Sequence, residues 1–282
     1  MPDLRFPLTL PGVPRRLLSR CAGALAGIPL PRPARRLLWP RLARRLGIDP
    51  DEVPGTWQDY RSFLELFTRP LPAGGRPIPP GTRAWLSPAD GLLIDHAPLR
   101  PEGTWLIKGA PYSLEELLPG LPLRSLSGYQ ALQIYLAPRD YHRYHAPCPL
   151  RVESAWTGPG DLLPVDPGLA RRSLRVLVRN RRVLLSCRDE EERWLGLLFV
   201  GALNVGGLRF HFDPTLGRPP LVRGWRRYDP PPRLDAGEEI GWFELGSTVL
   251  LFAPPGLALR AAVGGRVRAR TPLLSPEGAR EH

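Results

Sequence analysis

The chain has little cysteine, little histidine and almost no lysine. Its three cysteines (Cys21, Cys148 and Cys187) stand far apart in 282 residues, with no C-x-x-C pair. That argues against a disulfide scaffold or a zinc ribbon and suits a reducing compartment. Lys108 is the one lysine among 39 basic residues, so arginine carries the net charge of +12. No apolar run reaches the roughly 20 residues that cross a bilayer. The stretch Cys21–Leu30 is too short, and arginines on both sides of it also fit a signal peptide poorly. What the chain has in excess is proline, 37 residues, with 29 glycines. Each proline removes a backbone donor and stops a helix, which excludes a long-helix bundle or coiled coil. With 43% hydrophobic residues and eight tryptophans the chain has enough apolar surface for a core, so extensive disorder is not expected. Short strands joined by proline-rich turns fit this composition.

The first 48 residues differ from the rest. Between Met1 and Arg45 ten arginines face a single acid, Asp3. Pro33–Leu46 reads as an amphipathic helix, started or kinked at Pro40, with Leu38, Leu42 and Leu46 at helical spacing beside Trp39 and arginines elsewhere on the wheel. A basic helix of this kind can lie in a membrane interface or pack on its own core. A second helix is expected over Trp57–Phe67. From Arg76 onward the pattern is β, with strands expected over Gln130–Leu136, Leu174–Cys187, Leu195–Leu208 and Phe243–Phe252. Pro214–Leu234, with six prolines, reads as a long loop. The expected architecture is α+β, mainly β-sheet, sandwich- or barrel-like, behind a helical basic N-terminal segment.

Three short segments could carry chemistry. Asp140-Tyr-His-Arg-Tyr-His145 follows an apolar strand and holds two of the five histidines, His142 and His145. Histidine is the side chain most easily tuned as an acid or base near pH 7. Ser87-Pro-Ala-Asp-Gly91 supplies an acid, although Pro, Asp and Gly are also ordinary turn residues. Leu245-Gly-Ser-Thr248 supplies a hydroxyl beside a glycine inside an apolar strand, where glycine can equally mark a tolerated bulge. Together they offer Asp90, His145 and Ser247 as acid, base and nucleophile, since a serine hydroxyl needs a base and the base an orienting acid. The residues alone do not say what the serine attacks. A conventional serine hydrolase, without the G-x-S-x-G elbow, stays open. So does a non-enzymatic basic module that binds membrane. A metal site on His142 and His145 lacks further ligands, and no nucleic-acid motif is present.

The ordered set of motifs resembles the bacterial phosphatidylserine decarboxylase proenzymes over roughly residues 57 to 255. The segments that carry the resemblance are Ser62–Leu71 with Arg76-Pro-Ile78, Ser87–Gly91, Lys108-Gly109 with Tyr112-Ser-Leu114, and Asp140–His145. Gly160–Val165, Val200–Ala202 with Val205-Gly206, Gly237–Phe243 and Leu245–Thr248 follow in the same order. Asn180-Arg-Arg182 and Ala236 depart from the pattern, where N-E-R and a lysine are expected.

The resemblance implies a self-processing, pyruvoyl-dependent enzyme that converts phosphatidylserine to phosphatidylethanolamine and CO₂. Asp90 would orient His145, and His145 would take the proton of Ser247. The Ser247 hydroxyl would attack the carbonyl of Gly246 and turn the amide into an ester. Elimination and hydrolysis would then leave a pyruvoyl group in place of Ser247, the Schiff-base group for the substrate amine. The cut would give a β chain, 1–246, and an α chain, 247–282. His142 would position the substrate or reprotonate the carbanion. The resemblance further implies a β-rich catalytic domain over residues 57–282 behind a membrane-association segment over 1–56. The implied partner is phosphatidylserine in an anionic membrane, met peripherally on the cytoplasmic side of the cell membrane. It implies no metal and no nucleic acid, and leaves room for a homodimer.

Overall fold

A computed structural model describes residues 25–100, 104–107, 110–163, 175–201, 207–244 and 246–278. Cys21, Lys108-Gly109, Pro164-Val165, Ala202, Val205-Gly206, Leu245 and the first 24 residues of the basic segment lie outside the described residues. The strands are β1 (Trp85–Leu86), β2 (Gly91–Pro98), β3 (Thr104–Ile107), β4 (Ala110–Ser113), β5 (Gln130–Leu136), β6 (Arg143–His145), β7 (Leu150–Gly158), β8 (Arg182–Asp189) and β9 (Trp194–Gly201). They continue as β10 (Leu208–Phe210), β11 (Gly224–Arg227), β12 (Arg233–Leu234), β13 (Glu239–Phe243), β14 (Ser247–Ala253), β15 (Leu257–Leu259), β16 (Arg266–Val267) and β17 (Pro272–Pro276). Apart from α1 (Arg32–Leu46), the described residues include the short helices α2 (Phe63–Phe67), α3 (Leu114–Leu117) and α4 (Val176–Arg179).

The main sheet runs β11-β7-β8-β9-β14-β5-β2-β16, with β12 also on β7. Every pairing along it is antiparallel. Its centre is apolar on both faces because both are covered. Along β14, Val249 and Leu251 point into one core with Ile134, Phe199, Tyr144, Phe243 and Leu274, whereas Leu250 and Phe252 point into a second with Trp105, Leu117 and Leu177. The first core is closed by two three-stranded sheets, β10-β13-β6 and β1-β17-β15; the second by the β3-β4 hairpin, α3 and α4. The layers form a sandwich. The sheets are not closed, so the barrel-like alternative is not realised. The main sheet ends at β11 and β16.

The β5 strand falls where the apolar run placed it, and the expected strand over Phe243–Phe252 divides into the end of β13 and β14. The break lies at Glu244–Gly246, where the chain leaves the small sheet for the middle of the large one. The expected strand from Leu174 begins instead with α4, and the expected Trp57–Phe67 helix splits into a 3₁₀ turn (Trp57–Asp59) and α2, because Ser62 caps a new start by accepting from the Glu65 N–H at 3.2 Å. The long loop contains β11 and β12, which use the unpaired edge of β7. α1 begins at Arg32 with Pro33 in its first turn and carries Pro40 in its interior. Its Trp39 is buried against Tyr60 and Leu66, and the indole N–H donates to the Tyr60 carbonyl at 2.8 Å. Leu37 and Leu38 remain exposed. No helix among the described residues is long and apolar enough to cross a membrane.

Candidate active site

Three distant segments meet through backbone hydrogen bonds. The His145 N–H donates to the Pro88 carbonyl at 2.8 Å, which joins the start of β2 to β6. The Phe243 N–H donates to the His142 carbonyl at 2.9 Å, and β13 pairs Glu239 with His145 and Trp242 with Arg143. Three residues beyond Phe243 is Gly246, with φ 52, in the left-handed region that a side chain disfavours. Ser247 then opens β14, between Gly201 of β9 and Leu136 of β5. It is fully buried, and its Oγ has no hydrogen-bond partner among the described residues.

Asp90 is buried and firmly held. Its Oδ1 accepts from the Ala269 N–H at 2.8 Å, and the Arg76 guanidinium grips both oxygens, the second at 2.8 Å. Arg76 also donates to Glu52 at 2.6 Å and lies over the Tyr141 ring at 5.4 Å. Arg76 has φ 58, an uncommon conformation for a non-glycine residue, kept in place by its two carboxylates.

Both histidines are buried and neutral. His145 Nδ1 lies 2.9 Å from the Gly237 carbonyl; a carbonyl only accepts, so Nδ1 carries the hydrogen. The lone pair of Nε2 therefore accepts from the Tyr141 hydroxyl at 3.0 Å. Burial pushes the pKa of His145 down to about 4, against a smaller opposing effect of the Gly237 hydrogen bond. His142 follows the same logic. Its Nδ1 donates to the Asp140 carbonyl at 2.8 Å, its ring stands 3.9 Å from that of Phe67, and burial lowers its pKa to about 3. Its Nε2, an acceptor, has no partner.

The segments of Asp90 and His145 are thus joined at Pro88, and Ser247 follows the strand that pairs with β6, but the three side chains form no direct hydrogen-bonded chain with one another. The path from Asp90 to His145 runs through the Arg76 guanidinium and Tyr141.

Comparison with known proteins identifies the family. The profile of the family described as "Phosphatidylserine decarboxylase" matches residues 63–275. The chain belongs to the phosphatidylserine decarboxylase family. A "Phosphatidylserine decarboxylase proenzyme" of Anaeromyxobacter sp. (strain K) is 36% identical over 97% of this chain and 99% of its own. Proteins of the same name from Helicobacter pylori (strain ATCC 700392 / 26695) and Halorhodospira halophila (strain DSM 244 / SL1) are 36% and 37% identical, covering 83% and 87% of this chain and 88% and 84% of theirs.

Within this family's motifs, sequence reading assigned no role to Arg69, Arg76, Tyr141 or Asn180. The fully buried Asn180 side chain accepts from the Leu163 N–H at 2.9 Å and donates to the carbonyls of Leu163 and Gly201 at 2.8 and 2.9 Å. It thereby fixes the end of β9 opposite Ser247. Arginine is so common in this chain that neither Arg69 nor Arg76 stands out; only their places in the first family motif could have marked them. Tyr141 lay inside the histidine motif, but its partner could not be read from spacing.

Proposed function

We propose that this chain is a phosphatidylserine decarboxylase that makes its own reactive group by cutting itself between Gly246 and Ser247. The observation that carries the proposal is the buried, partnerless Ser247 hydroxyl directly after a glycine in the left-handed region. Adjacent reacting groups need no encounter, only the right backbone turn. Ser247 Oγ attacks the Gly246 carbonyl carbon, the peptide C–N bond breaks, and an ester forms while the amine of residue 247 is freed. The Oγ proton goes to His145 Nε2 once the Tyr141 hydroxyl releases the lone pair it donates to, and His145 passes it to the departing nitrogen of residue 247. Asp90 acts on His145 at one remove, by fixing Arg76 under Tyr141. Loss of the Cα proton of residue 247 expels the Gly246 carboxylate, and water releases ammonia and leaves a ketone. The products are chains 1–246 and 247–282.

The residues present fit a group formed in this way, since nothing else occupies the Ser247 hydroxyl. The pyruvoyl group supplies an electron sink for the pair left behind as CO₂ departs. His142 Nε2, free and unprotonated, takes a proton from the substrate amine and returns it to the substrate Cα once the carboxylate has left. Residues 57–282 carry this chemistry, and residues 1–56 bring it to phosphatidylserine at the cytoplasmic face of an anionic membrane, where the protein is peripheral. A homodimer is compatible with this reading. A serine hydrolase and a non-enzymatic module are not favoured, because the relatives are named as decarboxylase proenzymes.

Mass spectrometry of purified protein tests the proposal. Two chains divided at Gly246–Ser247 are expected, with a ketone at the start of the smaller, and Ser247→Ala should give one uncut chain without decarboxylase activity. A wild-type preparation active on phosphatidylserine as one unbroken chain would overturn it.

A further inference from the structure

Arg69 is about as buried as an arginine can be, at 1% exposure, yet its Nε and both Nη atoms have no hydrogen-bond partner. A buried guanidinium with nothing to bind is far costlier than an exposed one, so nitrogens without an acceptor point to an anion as their partner. No described residue supplies it. The carboxylates whose charge reaches Arg69 are Glu52 and Asp90. Asp90 is engaged by Arg76 and the Ala269 N–H, and Glu52 by Arg76 at 2.6 Å and Arg268 at 3.6 Å.

Arg69 also stands beside the active site. The segment Phe67–Arg69 runs along His142–Arg143: the Phe67 ring meets the His142 ring at 3.9 Å, and the Thr68 carbonyl accepts from Arg143 Nε at 2.9 Å. The charge of Arg69 is among the influences that keep His142 neutral. Two adjacent segments therefore present complementary vacancies, a fork of donors on Arg69 and a lone acceptor on His142 Nε2.

We infer that Arg69 holds the phosphodiester of the substrate headgroup while His142 Nε2 receives its amine. The inference rests on the decarboxylase reading above. Phosphatidylserine carries two anionic groups, and chemistry selects between them. A guanidinium bound to the carboxylate would stabilise the very charge that must vanish as CO₂ leaves, and so would oppose the reaction. The phosphodiester keeps its charge throughout, and its oxygens suit the planar fork of arginine. Holding it at Arg69 leaves the carboxylate without a cation of its own.

The test uses processed wild-type protein with the Arg69→Gln and Arg69→Lys variants. The probes are short-chain phosphatidylserine, glycerophosphocholine (a phosphodiester whose quaternary nitrogen cannot condense with a ketone) and L-serine methyl ester, which has no phosphate. All three proteins should divide into two chains. In Arg69→Gln the KM for phosphatidylserine and the calorimetric Kd for glycerophosphocholine should each rise about tenfold or more, and in Arg69→Lys by less. Inhibition by L-serine methyl ester should be the same in all three. An unchanged Kd for glycerophosphocholine, or equal weakening of both inhibitors, would overturn the inference. Failure of both variants to divide would also overturn it, by assigning Arg69 to processing or to the fold. A wild-type protein that neither divides nor decarboxylates would instead sink the reading on which the inference rests.

Discussion

His142 and His145 show how a common residue type acquires an uncommon state. Each donates one ring hydrogen to a backbone carbonyl, which fixes the tautomer, and burial keeps each neutral far below the usual histidine range. Neutral histidines with an aimed lone pair are bases, which both the cleavage and the handling of the substrate amine require. The same burial has a price in acid. An unfolded histidine takes up a proton as the pH falls through about 6.5, whereas these two resist until about 4 and about 3. The stability they contribute is therefore complete above pH 6.5 and is lost progressively below it, by roughly 1 kcal/mol per pH unit for each histidine. Denaturant unfolding between pH 6.5 and 5, above the range in which most carboxylates titrate, should show this slope, and His142→Gln should make it shallower by about half. An equal slope in the variant would show that His142 is not held neutral.

At the scale of elements, the site depends on how closely β10, β13 and β6 are packed. The Gly241 of β13 has no room for a side chain: a Cβ there would lie 1.8 Å from the Arg209 carbonyl oxygen of β10. The pairing shifts between Glu239 and Gly241, a bulge that sets His145 opposite Glu239 while Tyr144 faces Gly241. Gly241→Ala must push the two strands apart, with an expected loss of about 2 kcal/mol of stability. Because β13 leads directly to Gly246, slower self-cleavage should accompany that loss. Thermal unfolding together with the ratio of cut to uncut chain measures both; an unaltered melting temperature would mean that the backbone yields at no cost. Between Phe243 of β13 and Ser247 of β14 the chain passes from the small sheet to the centre of the large one. Runs of apolar residues bounded by turn residues made β5 and β14 visible, but short strands such as β6, β11 and β12 have too few residues for such a signal and exist because a neighbour offers an edge.

Across the whole molecule the charge is lopsided, and α1 is the described part of its basic end. Trp39 and Ala43 face inward, while Leu37, Leu38, Arg36, Arg41, Arg44 and Arg45 face solvent. Truncating the N-terminal segment would remove Trp39 from its place against Tyr60 and Leu66, so a truncated protein would lose part of its core along with any membrane contact. Replacing Leu37, Leu38, Arg41 and Arg45 with glutamine leaves that packing in place. Each arginine near an anionic surface contributes on the order of 1 kcal/mol, so co-sedimentation with vesicles containing phosphatidylserine should fall about tenfold or more while the chain still cuts itself. Undiminished co-sedimentation would place the membrane contact elsewhere.

The order of the family motifs was readable in the sequence, and Asp90, His142, His145, Gly246 and Ser247 stand as candidates from it, because reactive chemistry needs particular side chains and this chain has few histidines to choose from. The mainly β character was readable as well, since apolar runs and proline-rich turns act locally. Other features depend on contacts between residues far apart in the chain. Arg76 and Tyr141 come between Asp90 and His145, Asn180 clamps the end of β9, Trp39 turns inward, and Arg69 is buried without an acceptor. Hydrogen bonding, desolvation and packing act on whatever lies within a few ångströms, and only the folded chain decides which residues those are.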